Sequence, residues 1–179
     1  MFRADGDPWS YRGSPFEAFK RDTLLRACGK RTYGRGLELA GANGETTVRL
    51  RRRCLNLLAV DASPTALSLA RERTGQDPRV RLELALLPRQ MPQGDFDLIV
   101  ASEIVYYLDR RDGDLLARRL RAGLRRGGRI VVLHHLRSFD DAAQLPARAH
   151  ARLCRQLAGS MALVFHERHR RFDCAAFVG

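Results

Sequence analysis

Apolar residues in this chain fall into short runs separated by amphipathic stretches, and the two alternate almost from end to end. Residues 15 to 28 read as a helix, with Ser14 as N-cap, Pro15 at the first helical position and Glu17 in the first turn. A strand is expected over Gly36 to Ala40, a short helix over residues 44 to 53, and a second strand over Leu55 to Val60, ending at Asp61. Ser63 and Pro64 open a third helix that runs through Arg73 and stops at Gly75. Next, Val80, Leu82 and Leu84 face one way while Arg79, Arg81 and Glu83 face the other, the pattern of a strand at a sheet margin. Phe96 to Ala101 is apolar throughout, as in a strand covered on both faces, and belongs in the sheet centre. A helix starting at Asp112 or Asp114 carries Leu116, Leu120 and Leu124 on one stripe, with Gly127 and Gly128 as its stop before a strand over Ile130 to Leu133. One more helix is expected at about 146 to 157. Two closing runs, Met161 to His166 and Phe172 to Val178, lie close enough to pair antiparallel.

This alternation predicts an α/β fold: a three-layer sandwich around a mainly parallel seven-stranded sheet with an antiparallel C-terminal strand. At 179 residues the chain suits a single domain, 1–179, in which residues 1–30 form an N-terminal arm and helix. A content of 45% hydrophobic and 29% charged residues excludes disordered and disulfide-scaffold classes. No apolar stretch approaches the roughly 20 residues of a membrane span, and the start lacks the basic and apolar regions of a secretory signal, so a cytoplasmic location is expected. Cys28, Cys54, Cys154 and Cys174 contain no C-x-x-C pair, and no metal is expected. The net charge of +12 comes from 30 Arg and only 2 Lys. Such a surface attracts polyanions without sequence preference, but codon composition would give the same skew.

In a parallel sheet of this kind ligands bind beyond the carboxyl ends of the strands, where strand order reverses. The first such end reads Glu38-Leu39-Ala40-Gly41-Ala42-Asn43-Gly44. Its small residues let backbone N–H groups approach a ligand at a helix N-terminus, although a tight turn without ligand has the same composition. The second ends in Asp61, where a carboxylate accepts both ribose hydroxyls or, in the plainer alternative, caps a helix. A pyrophosphate would be repelled by Glu38, whereas a ligand with amino and sulfonium groups would be attracted.

Glu38 to Gly44, Asp61 and the block from Phe96 to Leu108 resemble the first, second and fourth motifs of Rossmann-like S-adenosylmethionine-dependent methyltransferases. Within them the chain most resembles the nodulation protein S family, through Asp7-Pro8-Trp9, Glu17, Lys20, Leu87-Pro88-Arg89, Pro92, and Ser102-Glu103 to Leu108. The resemblance implies S-adenosyl-L-methionine as cofactor, S-adenosyl-L-homocysteine as product, and N-methylation of a small amine or amino sugar. It implies a cofactor site of Trp9, Lys20, Glu38, Ala40, Gly41, Gly44, Asp61, Ala62, Leu86, Leu87 and Ser102. Ala40 and Ala42 stand where the family loop has glycines, and Leu86 where an acidic residue commonly meets the adenine amino group.

Methyl transfer leaves positive charge on the acceptor, so a carboxylate or imidazole beside it holds the amine, takes its proton or offsets the growing charge. Glu103 is the first choice, followed by His135 and His134, of which only one can point into the site because neighbours on a strand face opposite ways. Tyr106, Tyr107 and His150 are the substrate-side candidates, each also open to a packing role. Nucleic-acid methylation is a competing reading, but the Asp or Asn-Pro-Pro-aromatic tetrad is replaced by Ala101-Ser102-Glu103-Ile104, which argues against a nucleic-acid partner. A non-catalytic module of the same shape is the third reading, supported by Ala40, Ala42 and Leu86.

Overall fold

In the computed structural model, which describes residues 14–179, one seven-stranded sheet runs through the molecule in the order β3-β2-β1-β4-β5-β7-β6. The strands are β1 (Tyr33–Leu39), β2 (Cys54–Asp61), β3 (Val80–Leu84), β4 (Phe96–Ser102), β5 (Leu124–His135), β6 (Ala162–Arg168) and β7 (Phe172–Val178). The first five pair in parallel; β7 pairs antiparallel with β5, and β6 antiparallel with β7. The helices are α1 (Pro15–Ala27), α2 (Thr47–Leu50), α3 (Pro64–Thr74), α4 (Arg110–Ala122) and α5 (Pro146–Ala158). A 3-10 turn, Val105–Tyr107, follows β4.

Two apolar clusters line the two faces of the sheet. Leu37, Leu39, Ile99, Ala101, Ile130 and Val132 meet α4 and α5 through Leu116, Leu120, Leu153 and Leu157. Leu57, Leu98, Val100, Val131 and Leu133 meet α1 through Leu24 and Ala27. Odd and even positions of β5 thus serve opposite faces, as strand geometry requires. Strand β4 is central as expected, and β3 is marginal, with the Arg81 side chain 79% exposed.

Capping decides several boundaries. The Ser14 hydroxyl accepts from Glu17 N–H at 3.4 Å and that of Ser63 from Ala66 N–H at 3.2 Å, both at the expected N-caps. Helix α4 starts earlier than expected: Asp109 is its cap, accepting from Asp112 N–H at 2.7 Å. Its end is also corrected. Gly123 closes it, Leu124 belongs to β5, and Gly127 and Gly128 sit within a strand irregularity between the pairs Phe96–Leu124 and Leu98–Arg129. At φ 72° Gly127 adopts a backbone conformation that favours glycine, and its N–H donates to Gly179 O at 2.6 Å. Helix α2 is shorter than the expected 44–53 because Thr46 makes no side-chain cap bond and Thr47 and Val48 are β-branched.

Candidate functional site

The sheet order reverses between β1 and β4, and the carboxyl ends of β1, β2, β4 and β5 open onto one connected cleft. Three lobes meet at Glu103, which lines all of them. The smallest, about 50 Å³, lies against Glu38, Ala40, Gly41, Ala42 and Ser102. A second, about 300 Å³, is walled by Asp61, Ala62, Leu86, Leu87, Ile104 and Leu108. The third, about 540 Å³, has Phe16, Tyr106, Tyr107 and Phe139 as aromatic walls, with Glu17, Glu103, Asp140, Asp141, His135 and Arg171 around them.

The loop after β1 is held at its far side by Asp61. Its Oδ2 accepts from Ala42 N–H at 2.9 Å and its Oδ1 from Ser63 N–H at 2.9 Å. Burial raises the Asp61 carboxyl above its ordinary range, and the backbone donors pull against that rise. Ala40 and Ala42 occupy the left-handed region at φ 55° and 48°, where a side chain carries a Cβ penalty that glycine would not. Gly44, at φ 82°, does not line the cleft: a Cβ there would stand 3.0 Å from Cα and Cβ of Ala70. In this structure the glycine permits close packing on α3.

Glu38 is 2% exposed and its Oε2 has no hydrogen-bond partner among the described residues. Burial pushes its carboxyl up to about 8, with the Asp61 charge adding to the rise and the Thr47 hydroxyl opposing it. A buried carboxyl with one oxygen left without a partner beside Gly41 is costly by itself. An ammonium group placed there would relieve that cost.

Where α1 crosses the strand ends, Lys20 stands between two carboxylates. Its Nζ lies 3.1 Å from Glu17 Oε2 and is ion-paired with Glu103 Oε1. Burial pushes the Lys20 ammonium down, and Glu103 and Glu17 together outweigh it and hold it above its usual value. The other Glu103 oxygen, Oε2, accepts from the Tyr106 hydroxyl and, at 3.0 Å, from His135 N–H. Glu103 itself has φ 55°, a strained conformation of the sort that clusters at ligand sites.

His135 lines the third lobe, and burial lowers its imidazole below the ordinary range although Glu103 pulls the other way. His134 faces the opposite side of the sheet and is fully buried beside His150, which is itself 2% exposed. Neither lines the cleft: strand alternation turns His134 to the face opposite His135, and His150 meets it there from α5. Trp9 lies outside the described residues. Phe16, Glu17, Phe139, Asp140, Asp141 and Arg171 join the third lobe without having been expected there. Glu17 was part of the family resemblance, and the Phe-Asp-Asp triplet past β5 was the other sequence signal for them.

A reversed-order parallel sheet, an antiparallel last pair, an acidic end to β2 and a Glu-rich junction after β4 define the class as the Rossmann-like methyltransferase fold. Solved structures agree. A putative methyltransferase from Pseudomonas syringae is 34% identical and superposes with TM-score 0.77, over 90% of this chain and 97% of that one. The N-methyltransferase NodS from Bradyrhizobium japonicum WM9 in complex with S-adenosyl-L-homocysteine superposes with TM-score 0.83 at 24% identity, over 97% and 92%. The chain belongs to the nodulation protein S (NodS) family, whose model matches residues 3–145. Nodulation protein S of Rhizobium tropici is 30% identical over 134 residues, covering 72% of this chain and 55% of that protein. That of Bradyrhizobium diazoefficiens is 33% identical over 103 residues, covering 57% and 49%. The chain thus spans about half the length of the curated relatives it matches. Among the described residues no helix is long and apolar enough to cross a membrane, and no His, Cys, Asp and Glu group is arranged to hold a metal ion.

Proposed function

We propose that this chain is an S-adenosylmethionine-dependent methyltransferase acting on a small-molecule amine, with an amino sugar as the leading acceptor, in the cytoplasm and as a single domain. One observation carries the reading: Glu103 joins a cleft suited to a cationic, ribose-bearing cofactor to an aromatic, carboxylate-rich lobe of about 540 Å³. That volume lies in the range of small-molecule sites. The residues fit the cofactor. Glu38 Oε2 offers an unpartnered acceptor for its ammonium, Asp61 faces the lobe suited to a ribose, and Ala62, Leu86 and Leu87 supply an apolar bed for adenine. When bound, the cofactor supplies a methyl carbon whose bond to sulfur breaks as the new bond to nitrogen forms.

The chain's own part is positioning and charge. In a protein of net charge +12, the third lobe carries four carboxyl groups, Glu17, Glu103, Asp140 and Asp141. Lys20 offsets part of that charge from the α1 side. Aromatic faces of Tyr106, Tyr107, Phe16 and Phe139 favour a cation electrostatically, and their bodies bind a sugar's apolar face. An amine attacks only when neutral; His135, kept low by burial, has a basic ring nitrogen available to take the proton. Glu103 offsets the ammonium charge that develops on transfer. Holding both reactants in one cleft supplies much of the acceleration, since effective molarities for oriented reactants are on the order of 10⁵ M or more.

The test is incubation with methyl-labelled S-adenosylmethionine and a panel of glucosamine, its short oligomers with a free amino group, simple alkylamines, and RNA. Label transfer to an amino compound supports the reading. Transfer to RNA alone, or to none of the panel despite cofactor binding, overturns the amine assignment.

A further inference from the structure

Between β5, α5 and the β6–β7 hairpin lies a row of titratable side chains that no step above uses. His134 is fully buried, His150 is 2% exposed and Asp173 4% exposed, while His166 reaches the surface with its side chain half exposed. Two imidazoles in a core are costly unless every ring nitrogen meets a partner of the right kind. Here the partners dictate where the protons sit.

The Val105 N–H can only donate, and it donates to His134 Nε2 at 3.3 Å. That nitrogen is therefore bare. A neutral His134 must then carry its proton on Nδ1, which faces His150 Nδ1 at 3.0 Å. His150 Nδ1 must accept, so the His150 proton is on Nε2, 3.3 Å from Cys154 Sγ and 3.7 Å from Asp173 Oδ1. Asp173 Oδ1 also receives His166 Nε2 at 3.0 Å, which ends the row at solvent. Burial lowers both interior histidines to about 3, which keeps them neutral.

The inner end of the row bears on the cleft. Val105 begins the 3-10 turn that carries Tyr106 and Tyr107. The Tyr106 ring meets His134 edge-on at 5.8 Å, while its hydroxyl donates to Glu103. We propose that His134, its tautomer locked by His150, is a positioning residue that fixes the Tyr106–Tyr107 turn and thereby the aromatic wall of the acceptor lobe. The positioning stands on these contacts alone; its consequence for the acceptor rests on the methyl-transfer reading.

Long-range proton–nitrogen NMR on the full chain with labelled histidine reads the tautomers at pH 7. The expected result is a proton on Nδ1 of His134 and on Nε2 of His150; the reverse tautomers, or imidazolium signals, overturn the proposal. A second experiment follows amide hydrogen exchange in His134→Leu and His134→Gln, the latter able to present a carbonyl oxygen to Val105. In His134→Leu, Val105 exchange should accelerate about tenfold or more beyond any change at Val131, as expected for a lost buried hydrogen bond, and His134→Gln should recover most of the protection. Equal acceleration at Val105 and Val131 would contradict positioning. With an accepted amine, His134→Leu should raise KM for the amine by a larger factor than it weakens S-adenosylhomocysteine binding, since Tyr106 lines the acceptor lobe and Tyr107 both lobes. If no amine is methylated, the NMR and exchange results still decide the proposal. If His134→Leu does not fold, the tautomers of the native chain do so.

Discussion

Ala40 and Ala42 carry a strain that substitution can measure. Both sit in the left-handed region, at φ 55° and 48°, without glycine's freedom. An L-residue there costs roughly 1–2 kcal/mol, whereas Ala→Gly loosens the unfolded chain and takes back about 0.4–1 kcal/mol. Strain relief is therefore the larger effect at each site, and the difference leaves Ala40→Gly and Ala42→Gly each stabilised by about 0.5–1 kcal/mol. For a chain of this size that is a rise in Tm of about 1–4 °C. Neither residue is wholly buried, so lost packing is a minor correction. Urea unfolding at constant m-value checks the sign directly. A loss of 0.5 kcal/mol or more, the ordinary result of Ala→Gly at an unstrained site, would refute the reasoning. Because Ala40 lines two lobes of the cleft, Ala40→Gly should also tighten S-adenosylhomocysteine binding.

Three further outcomes follow from the same geometry. Glu103→Gln should bind S-adenosylhomocysteine like the native chain and lose about tenfold or more in methyl transfer; unchanged turnover would remove Glu103 from the reaction. In the free protein Glu38, pushed up to about 8, is mostly protonated at pH 7, so pairing with a cofactor ammonium should release up to about one proton. Titrations at pH 7 in buffers of different ionisation enthalpy would show that release, and identical heats would count against the pairing. His134 and His150 fall from their ordinary 6.5 to about 3 on folding, so the unfolded chain binds more protons in that window. Stability should therefore be intact above pH 6.5 and fall steadily as pH drops toward 3, and a flat urea midpoint between pH 6.5 and 4 would contradict the assignment.

Strands β2, β4 and β7, and the helices Ser14 and Ser63 cap, were readable in the sequence because local pattern and burial agree there. The junction of α4 and β5 was not. Leu124 continues a helical stripe and Gly127-Gly128 has the composition of a stop, but pairing of Leu124 with Phe96 draws the chain into the sheet first. Tertiary pairing overrode a local signal. Motif residues at strand ends, Glu38, Asp61 and Glu103, were found in the cleft because strand topology alone brings them together. The choice between His134 and His135 needed the register of β5 against β4 and β7. Asp140, Asp141 and Arg171 reach the third lobe from a loop after β5 and from the β6–β7 turn, elements whose approach no periodicity announces.

The central claim, that this cleft holds S-adenosylmethionine despite two strained alanines, is tested most directly by calorimetric titration with S-adenosylmethionine and S-adenosylhomocysteine at low and moderate salt, beside Asp61→Ala. The account predicts binding in about the micromolar range that survives added salt and weakens roughly tenfold or more in Asp61→Ala, as expected for losing a charged hydrogen-bond acceptor. No heat with either ligand, or binding that disappears with salt and ignores Asp61→Ala, would contradict it.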